Sequence, residues 1–297
     1  MEQVFGNDDS LPEQRQEAAK KTTWVSMVVN VFLCAVQVLA GMLTSSAGLI
    51  ADGLHSLTDL TADVIVLLAN RHSSKDADED HHYGHQRYET AASLFLGLSL
   101  VAVGVGIAWS ATLKIMQPPA AAVQFAAFYV ALLALVSKEL LFRYMLRAAE
   151  KVRSSMLIAN AWHARADAAS SLVVALGVLG SALGHPTLDA VSALVVGLMI
   201  CKTGAGFAWE ALHDLMDRAA SAETYQHIFD VIANTPGVRG VHDLRTRKMG
   251  DLIVVDVHIE VDGNATVREG HDIGLEAANR VKVELPVLTV MTHIDPA

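Results

Sequence analysis

Cysteine is almost missing from these 297 residues, with Cys34 and Cys201 the only two. That excludes a disulfide scaffold and any zinc module built on several cysteines. Charge is scarce as well. Asp, Glu, Lys and Arg make up 18% of the chain, where soluble domains carry about 25%. Basic residues are the scarcer sign, 22 against 32 acidic, and the net charge of −10 argues against nucleic acid as a partner. What fills the space is apolar: 52% of residues are hydrophobic. A soluble single-domain enzyme is a poor fit to this balance.

The scarcity of charge is clustered. No Asp, Glu, Lys or Arg occurs in 22–51, 90–113, 115–137 or 168–188. Each run reaches the ~20 residues that a helix needs to cross about 30 Å of hydrocarbon. Two further apolar stretches are interrupted, 47–70 by Asp52, Asp59 and Asp63 and 189–209 by Lys202. The pattern predicts an all-α membrane bundle of six transmembrane helices, at 22–43, 46–70, 89–116, 121–147, 154–183 and 187–209. Buried helices of a large soluble core fail on length and on how closely the runs follow one another. Lys and Arg set the orientation. Arg15, Lys20 and Lys21 precede the first helix; Arg71, Lys75 and Arg87 lie between the second and third; Arg143, Arg147, Lys151 and Arg153 flank the turn between the fourth and fifth. The opposite loops, 43–48, 117–122 and 184–186, hold none, with only Lys114 near. Both termini are therefore expected in the cytoplasm. The polar, acidic segment 1–21 does not resemble a cleavable signal peptide, which needs a basic start and a short apolar core.

Composition changes after about residue 211. The stretch 213–297 holds 14 acidic and 8 basic residues, a net charge of −6. Its pattern reads helix 222–234, strand 239–248, strand 251–262, helix 266–284 and strand 287–295, an α+β (αββαβ) domain with helices on one face. In the middle strand Ile253, Val255, Val257, Ile259 and Val261 point one way and Asp256, His258 and Glu260 the other. Pro236-Gly237, Met249-Gly250 and Asp262-Gly263 supply the breaks. The expected organisation is a cytoplasmic segment 1–21, a transmembrane domain 22–212 and a cytoplasmic domain 213–297.

Polar chemistry inside the apolar runs is confined to a few places. His55 and Asp59 in the second helix, and His163 and Asp167 in the fifth, are i, i+4 pairs that share one helical face. Each histidine lies ~9 residues from its helix end, hence about 14 Å deep, near mid-bilayer. Because one helix runs inward and the other outward, the two pairs can meet at one level. Two imidazoles and two carboxylates make a tetrahedral N₂O₂ site suited to Zn(II) and neighbouring divalent ions. The plainer alternative is a set of polar contacts holding helices together. An unpaired carboxylate at the bilayer centre costs several kcal/mol, and two matched pairs at one depth favour an ion site. Asp52 and Asp63 share the second-helix face, as an ion path or proton relay, or as hydrogen-bonded groups near the helix ends. Asp189 is expected to cap the start of the sixth helix. Arg165 points away from His163, to snorkel or to pair with a buried acid.

Outside the bundle, the loop 76–85 packs Asp76, Asp78, Glu79, Asp80, His81, His82 and His85 together, as a chelator or as a solvated hinge. In the tail, His242, His258, His271, His293 and Asp295 are scattered along the chain, and His293 and Asp295 alternate onto one strand face. A membrane metalloenzyme would need an open metal position beside a general base, as in His-Glu-x-x-His, and no such motif occurs. A non-transporting metal sensor or scaffold would keep the tail histidines but could lose the membrane tetrad.

Taken together the motifs resemble the cation diffusion facilitator family of proton-coupled divalent-metal exporters. The likeness rests on the run from Ser46 through Ala47, Gly48, Asp52 and His55 to Asp59, on His82-Tyr83-Gly84-His85 followed by Arg87 and Glu89, on His163 with Asp167, and on Val241-His242-Asp243-Leu244-Arg245-Thr246-Arg247. It covers nearly the whole chain and is nearest to bacterial zinc and ferrous-iron exporters. The resemblance implies a six-helix transporter of the bacterial cytoplasmic (inner) membrane, with a metallochaperone-like cytoplasmic domain and homodimeric assembly. It places a transport site on His55, Asp59, His163 and Asp167, and a second site on Asp78, His81 and His85. A binuclear cytoplasmic site would use His242, His258, His271, His293 and Asp295, with zinc bridging subunits or locking the dimer. Arg87 and Asp217 hold the positions of a basic–acidic pair in the family. The substrates implied are Zn(II), with Fe(II), Cd(II) or Co(II) as further candidates, and protons; no prosthetic group is implied. One position departs: bacterial relatives carry Asp where this chain has His55, a change associated in the family with choosing Zn over Cd.

Overall fold

The computed structural model describes residues 10–73, 75, 77–117, 123–151, 155–250 and 252–297. Six long helices come first: α1 (Ser10–Thr44), α2 (Ala47–Ser73), α3 (Arg87–Met116), α4 (Phe125–Lys151), α5 (Ser155–Ala182) and α6 (Thr187–Leu215). They follow the apolar runs, because a backbone in hydrocarbon must satisfy its own N–H and C=O groups within the segment. Among the described residues, five helices are long and apolar enough to cross a membrane. The remaining long helix, α2, has 27 residues and holds the acidic positions noted above. α1 begins at Ser10, well before the apolar run, so much of the polar N-terminal segment is helical too. Large side chains such as Phe32, Leu43, Phe95, Trp109 and Leu176 are exposed, as on a surface that faces lipid.

The chain divides into two compact units, Met1–Val64 with Ser99–Ala205, and Ile65–Leu98 with Gly206–Ala297. In the first, α4 packs on α5 and α1 on α4. Small residues let the backbones approach, as expected where helix association relies on close packing. A Cβ added at Gly104 of α3 would lie 2.7 Å from both Cys201 Sγ and the Gly197 carbonyl of α6, and 2.8 Å from the Cys201 backbone nitrogen. Backbone cannot step aside, so Gly104→Val is expected to lower stability by about 1–3 kcal/mol. Gly106→Ala is the control: its added Cβ meets nothing within 4 Å, and helix propensity favours alanine by ~0.5–1 kcal/mol. Thermal unfolding of both variants in detergent checks this, and equal melting temperatures would refute the close packing of α3 on α6.

Loop geometry at one end of this unit differs from expectation in an informative way. Asp189 does not cap its own helix. Its carboxylate accepts from Ser46 Oγ at 2.5 Å and from the Ala47 and Gly48 backbone N–H groups at 2.6 and 3.2 Å. It thus caps α2 from across the bundle, satisfying N–H groups that have no partner within α2.

The second unit contains α7 (Ala222–Ala233), β1 (Gly240–Met249), β2 (Leu252–Val261), α8 (Val267–Glu284) and β3 (Val287–Pro296). The sheet order is β1-β2-β3. β1 and β2 run antiparallel, with Gly250 at φ +63 between them, while β3 lies parallel to β2 after the α8 crossover. The alternation in β2 buries Ile253, Val255, Val257, Ile259 and Val261. Ile228, Ile232, Ala277 and Val281 of the helices close the core with the first four of these. α8 opens on a capping box between Thr266 and Glu269. The hydrogen bonds from Thr266 hold the Glu269 carboxyl below the usual range. Register then does something that spacing along the chain does not reveal. His242 pairs with His258, and His258 with His293, so three histidines form one row across three strands.

Candidate metal sites

Three groups of ligand-capable side chains converge among the described residues, and each joins segments that the sequence keeps apart or folds back. The first lies between α2 and α5. His55 Nδ1 is 3.7 Å from Asp59 Oδ1, and His55 Nε2 is 3.8 Å from Asp167 Oδ1. One ligand atom from each of these three residues lies within 4.8 Å of the others. His163 stands one helical turn before Asp167 on α5, but its side chain lies outside the described residues, as does that of Asp63. The His55 side chain is 11% exposed and the two carboxylates 24% and 19%, so the group is sheltered but reachable.

Asp52, left open between an ion path and a hydrogen-bonded role, is bonded throughout. It is fully buried and accepts from Lys138 Nζ at 3.1 Å, from Ser171 Oγ at 2.7 Å and from Gln37 Nε2. Lys138, Gln37, Ser170 and Ser171 were not singled out from sequence. A signal existed for Lys138: it falls within the helix expected at 121–147, where a lysine needs a buried partner. Arg165 is exposed, and its guanidinium sits over the rings of Phe142 and Trp162, 4.9 and 5.1 Å from their centroids.

The second group is the loop between α2 and α3. Asp78 Oδ1 accepts from the backbone N–H of His81 at 2.8 Å and of Asp80 at 3.1 Å, which folds the loop back on itself. The same carboxylate lies 3.4 Å from His81 Nδ1 and 3.3 Å from His85 Nε2. Gly84 takes φ +79, a conformation that favours glycine, and the His85 ring stacks on Tyr88. The His81 N–H bond, then the Asp80 N–H and the charge on His85, hold the Asp78 carboxyl below its usual range. It therefore stays anionic further into acid than a free aspartate. His82 is exposed and outside the group, and Asp76 lies outside the described residues. Beside the loop, Arg87 donates to Asp217 Oδ1 at 2.5 Å and to the Leu215 carbonyl at 3.1 Å.

The third group sits on the sheet face opposite the helices. Asp295 is its hub: Oδ2 is 2.9 Å from His258 Nδ1 and 3.4 Å from His242 Nε2, and Oδ1 is 3.4 Å from His293 Nε2. Glu260, seen in sequence only as a solvent-facing strand position, brings its carboxylate within 3.8 Å of His242. His271 is not brought to the row. It is exposed on α8, and α8 covers the other face of the sheet, where Gly270 and Gly274 meet Ile294 and Thr292.

Residues 23–216 match the cation efflux transmembrane domain, and residues 220–297 the cytoplasmic domain of cation efflux proteins. The chain belongs to the cation efflux, or cation diffusion facilitator, family. An uncharacterized transporter of Methanocaldococcus jannaschii is 35% identical over 93% of this chain and 98% of its own length. The manganese efflux system protein MneS of Bacillus subtilis is 34% identical, covering 92% of this chain and 93% of the relative. A solved MamM C-terminal domain in a nickel form is 27% identical, with a TM-score of 0.26, over 26% of this chain and 99% of that one. This cation efflux chain is thus a multi-pass membrane transporter of divalent metal cations and not an enzyme.

Proposed function

We propose that the chain exports Zn(II) from the cytoplasm by exchange with protons, through a site formed by His55, Asp59, His163 and Asp167. The observation that carries this reading is the convergence of His55, Asp59 and Asp167 from two helices inside an apolar helical unit. A divalent ion must be held there by neutral imidazoles and ionised carboxylates, so its binding competes directly with protons. Histidine changes charge near pH ~6.5, which lets an acidic exterior displace the metal once the helices rock and expose the site outward. The unprotonated form favours Zn(II) with its mixed nitrogen and oxygen ligands.

The transporter works as a homodimer in a bacterial cytoplasmic membrane, with 22–212 as the transmembrane domain and both termini inside. The loop group of Asp78, His81 and His85 and the tail domain 213–297 take up metal from the cytoplasm. His271, off the row of His242, His258 and His293 in one protomer, completes the set from a second copy, so that bound zinc favours the closed dimer. Manganese is the second reading, favoured by the likeness to a manganese efflux protein. Manganese prefers oxygen-rich sites, so histidine ligands weigh against it.

Flux into proteoliposomes under an imposed pH gradient tests the reading, with zinc, manganese, iron and cadmium compared in one preparation. Gradient-driven uptake is expected, fastest for zinc. Faster manganese uptake would transfer the assignment to that ion, and retained metal binding without flux of any ion would point to a sensor.

A further inference from the structure

We propose that Lys138 is a built-in counter-cation that sets the charge of the transport site and thereby how tightly it holds a divalent ion. The inference rests on the transport reading of His55, Asp59, His163 and Asp167.

Asp52 stands three residues before His55 on α2, one turn away on the same face. An aspartate there without a counter-charge would be a third carboxylate beside Asp59 and Asp167, and three negative charges overmatch one divalent ion. Lys138 of α4 removes that excess: its side chain is 3% exposed and that of Asp52 1%, with Nζ and Oδ1 3.1 Å apart. Water cannot screen a pair buried so deeply, so the balance must be struck inside the protein. The polar contacts converge on both carboxylate oxygens. Oδ1 takes the ammonium, while Oδ2 takes the Ser171 hydroxyl and the Gln37 amide. Ammonium and amide N–H groups can only donate, so the carboxylate facing them acts as an acceptor on both oxygens. Ser170, 3.5 Å from Oδ1, has one proton and spends it on the nearer Asp167 carbonyl at 2.7 Å.

The donors come from α1, α4 and α5, so the hub ties these helices to α2, the helix that carries His55 and Asp59. A buried ion pair is seldom the most stable way to fill such a position, since an apolar replacement of like volume is often neutral or better. What an apolar replacement would not supply is a positive charge fixed one turn from the ligands. Lys138 is accordingly a positioning and charge-setting residue. Its ion-pair partner is Asp52, and it acts through that carboxylate.

The test uses opposite signs. Transport kinetics are measured in proteoliposomes with the full chain and zinc as the probe, normalised to folded protein. Lys138→Met leaves Asp52 uncompensated, so KM is expected to fall about tenfold or more and kcat to fall with it, because the ion is released slowly. Asp52→Asn leaves the ammonium uncompensated, so KM is expected to rise by about tenfold or more. The double variant restores charge balance and brings KM back to within about threefold of the parent, and Lys138→Arg stays near the parent. If Lys138→Met fails to fold, Asp52→Asn and the double variant decide between them. Single variants that lose only melting temperature, with KM and kcat unchanged, overturn the proposal. So do single variants whose KM values move in the same direction, or a double variant as impaired as Asp52→Asn. An Asp59→Ala arm separates the two levels: flux that survives it removes the site reading itself, whatever Lys138 does.

Discussion

Asp59→Ala is expected to abolish zinc flux, by roughly 100-fold or more, while leaving the helices assembled and the tail able to bind metal. A factor of 100 corresponds to about 2.7 kcal/mol, and losing one of two carboxylates from a divalent site readily supplies it. Asp59 Oδ1 is 3.7 Å from His55 Nδ1, and Asp167 reaches the same imbedded imidazole from α5 at 3.8 Å. Removing Asp59 leaves one carboxylate against two positive charges, in surroundings where charge imbalance is weakly screened. The fold should tolerate the change, because the side chain is partly exposed and alanine is a strong helix former. Circular dichroism and size-exclusion profiles equal to the parent, together with lost flux, would satisfy the prediction. A variant that keeps a third or more of the parental rate would show that the ion crosses elsewhere.

The second large effect is expected in the tail, where Asp295→Ala should remove most of the stabilisation that zinc confers. A ligand at 100 times its Kd stabilises the state that binds it by about 2.7 kcal/mol. For a domain this small, each kcal/mol shifts Tm by about 4–8 °C. Asp295 is the group the three histidines share, at 2.9 Å from His258 and 3.4 Å from both His242 and His293. Without it the imidazoles remain as a row, and the nearest carboxylates left are Asp243 and Glu260, both beside His242 at the edge of the row. In the metal-free state the cost is small, since the carboxylate is 29% exposed and such pairs contribute about 0–1 kcal/mol. The measurement is calorimetry of the full-length chain with zinc and with a chelator. An unchanged zinc-induced shift of the tail transition in the variant would place the metal away from this sheet face.

The i, i+4 spacing of His and Asp within two apolar segments drew attention to His55, Asp59 and Asp167, which converge in the structure, while the His163 side chain lies outside the described residues. The tail histidines were legible only as candidates. His242, His258 and His293 are far apart in the chain, and their meeting depends on the β1–β2 and β2–β3 registers. A shift of one residue in either register would send a histidine to the other face. His271 shows the same limit from the other side: its residue type matched, but α8 lies on the opposite face of the sheet. Asp189 illustrates why local rules mislead within a bundle. Its position at the start of α6 suggested a cap for that helix, yet the N–H groups it satisfies belong to α2, brought to it by packing.

Composition and periodicity along the chain were sufficient for the long apolar helices, the αββαβ tail and the membrane setting. These follow from transfer of apolar segments out of water and from the repeat of side chains in helix and strand, both of which are local properties of the chain. Which carboxylates are available to an ion was decided elsewhere. Asp52 and Asp59 look alike in sequence, two acids one turn to either side of His55. Only the folded bundle brings the Lys138 ammonium to Asp52 and leaves Asp59 facing His55. A buried charge takes its character from the partners that surround it, and those partners come from helices remote in sequence.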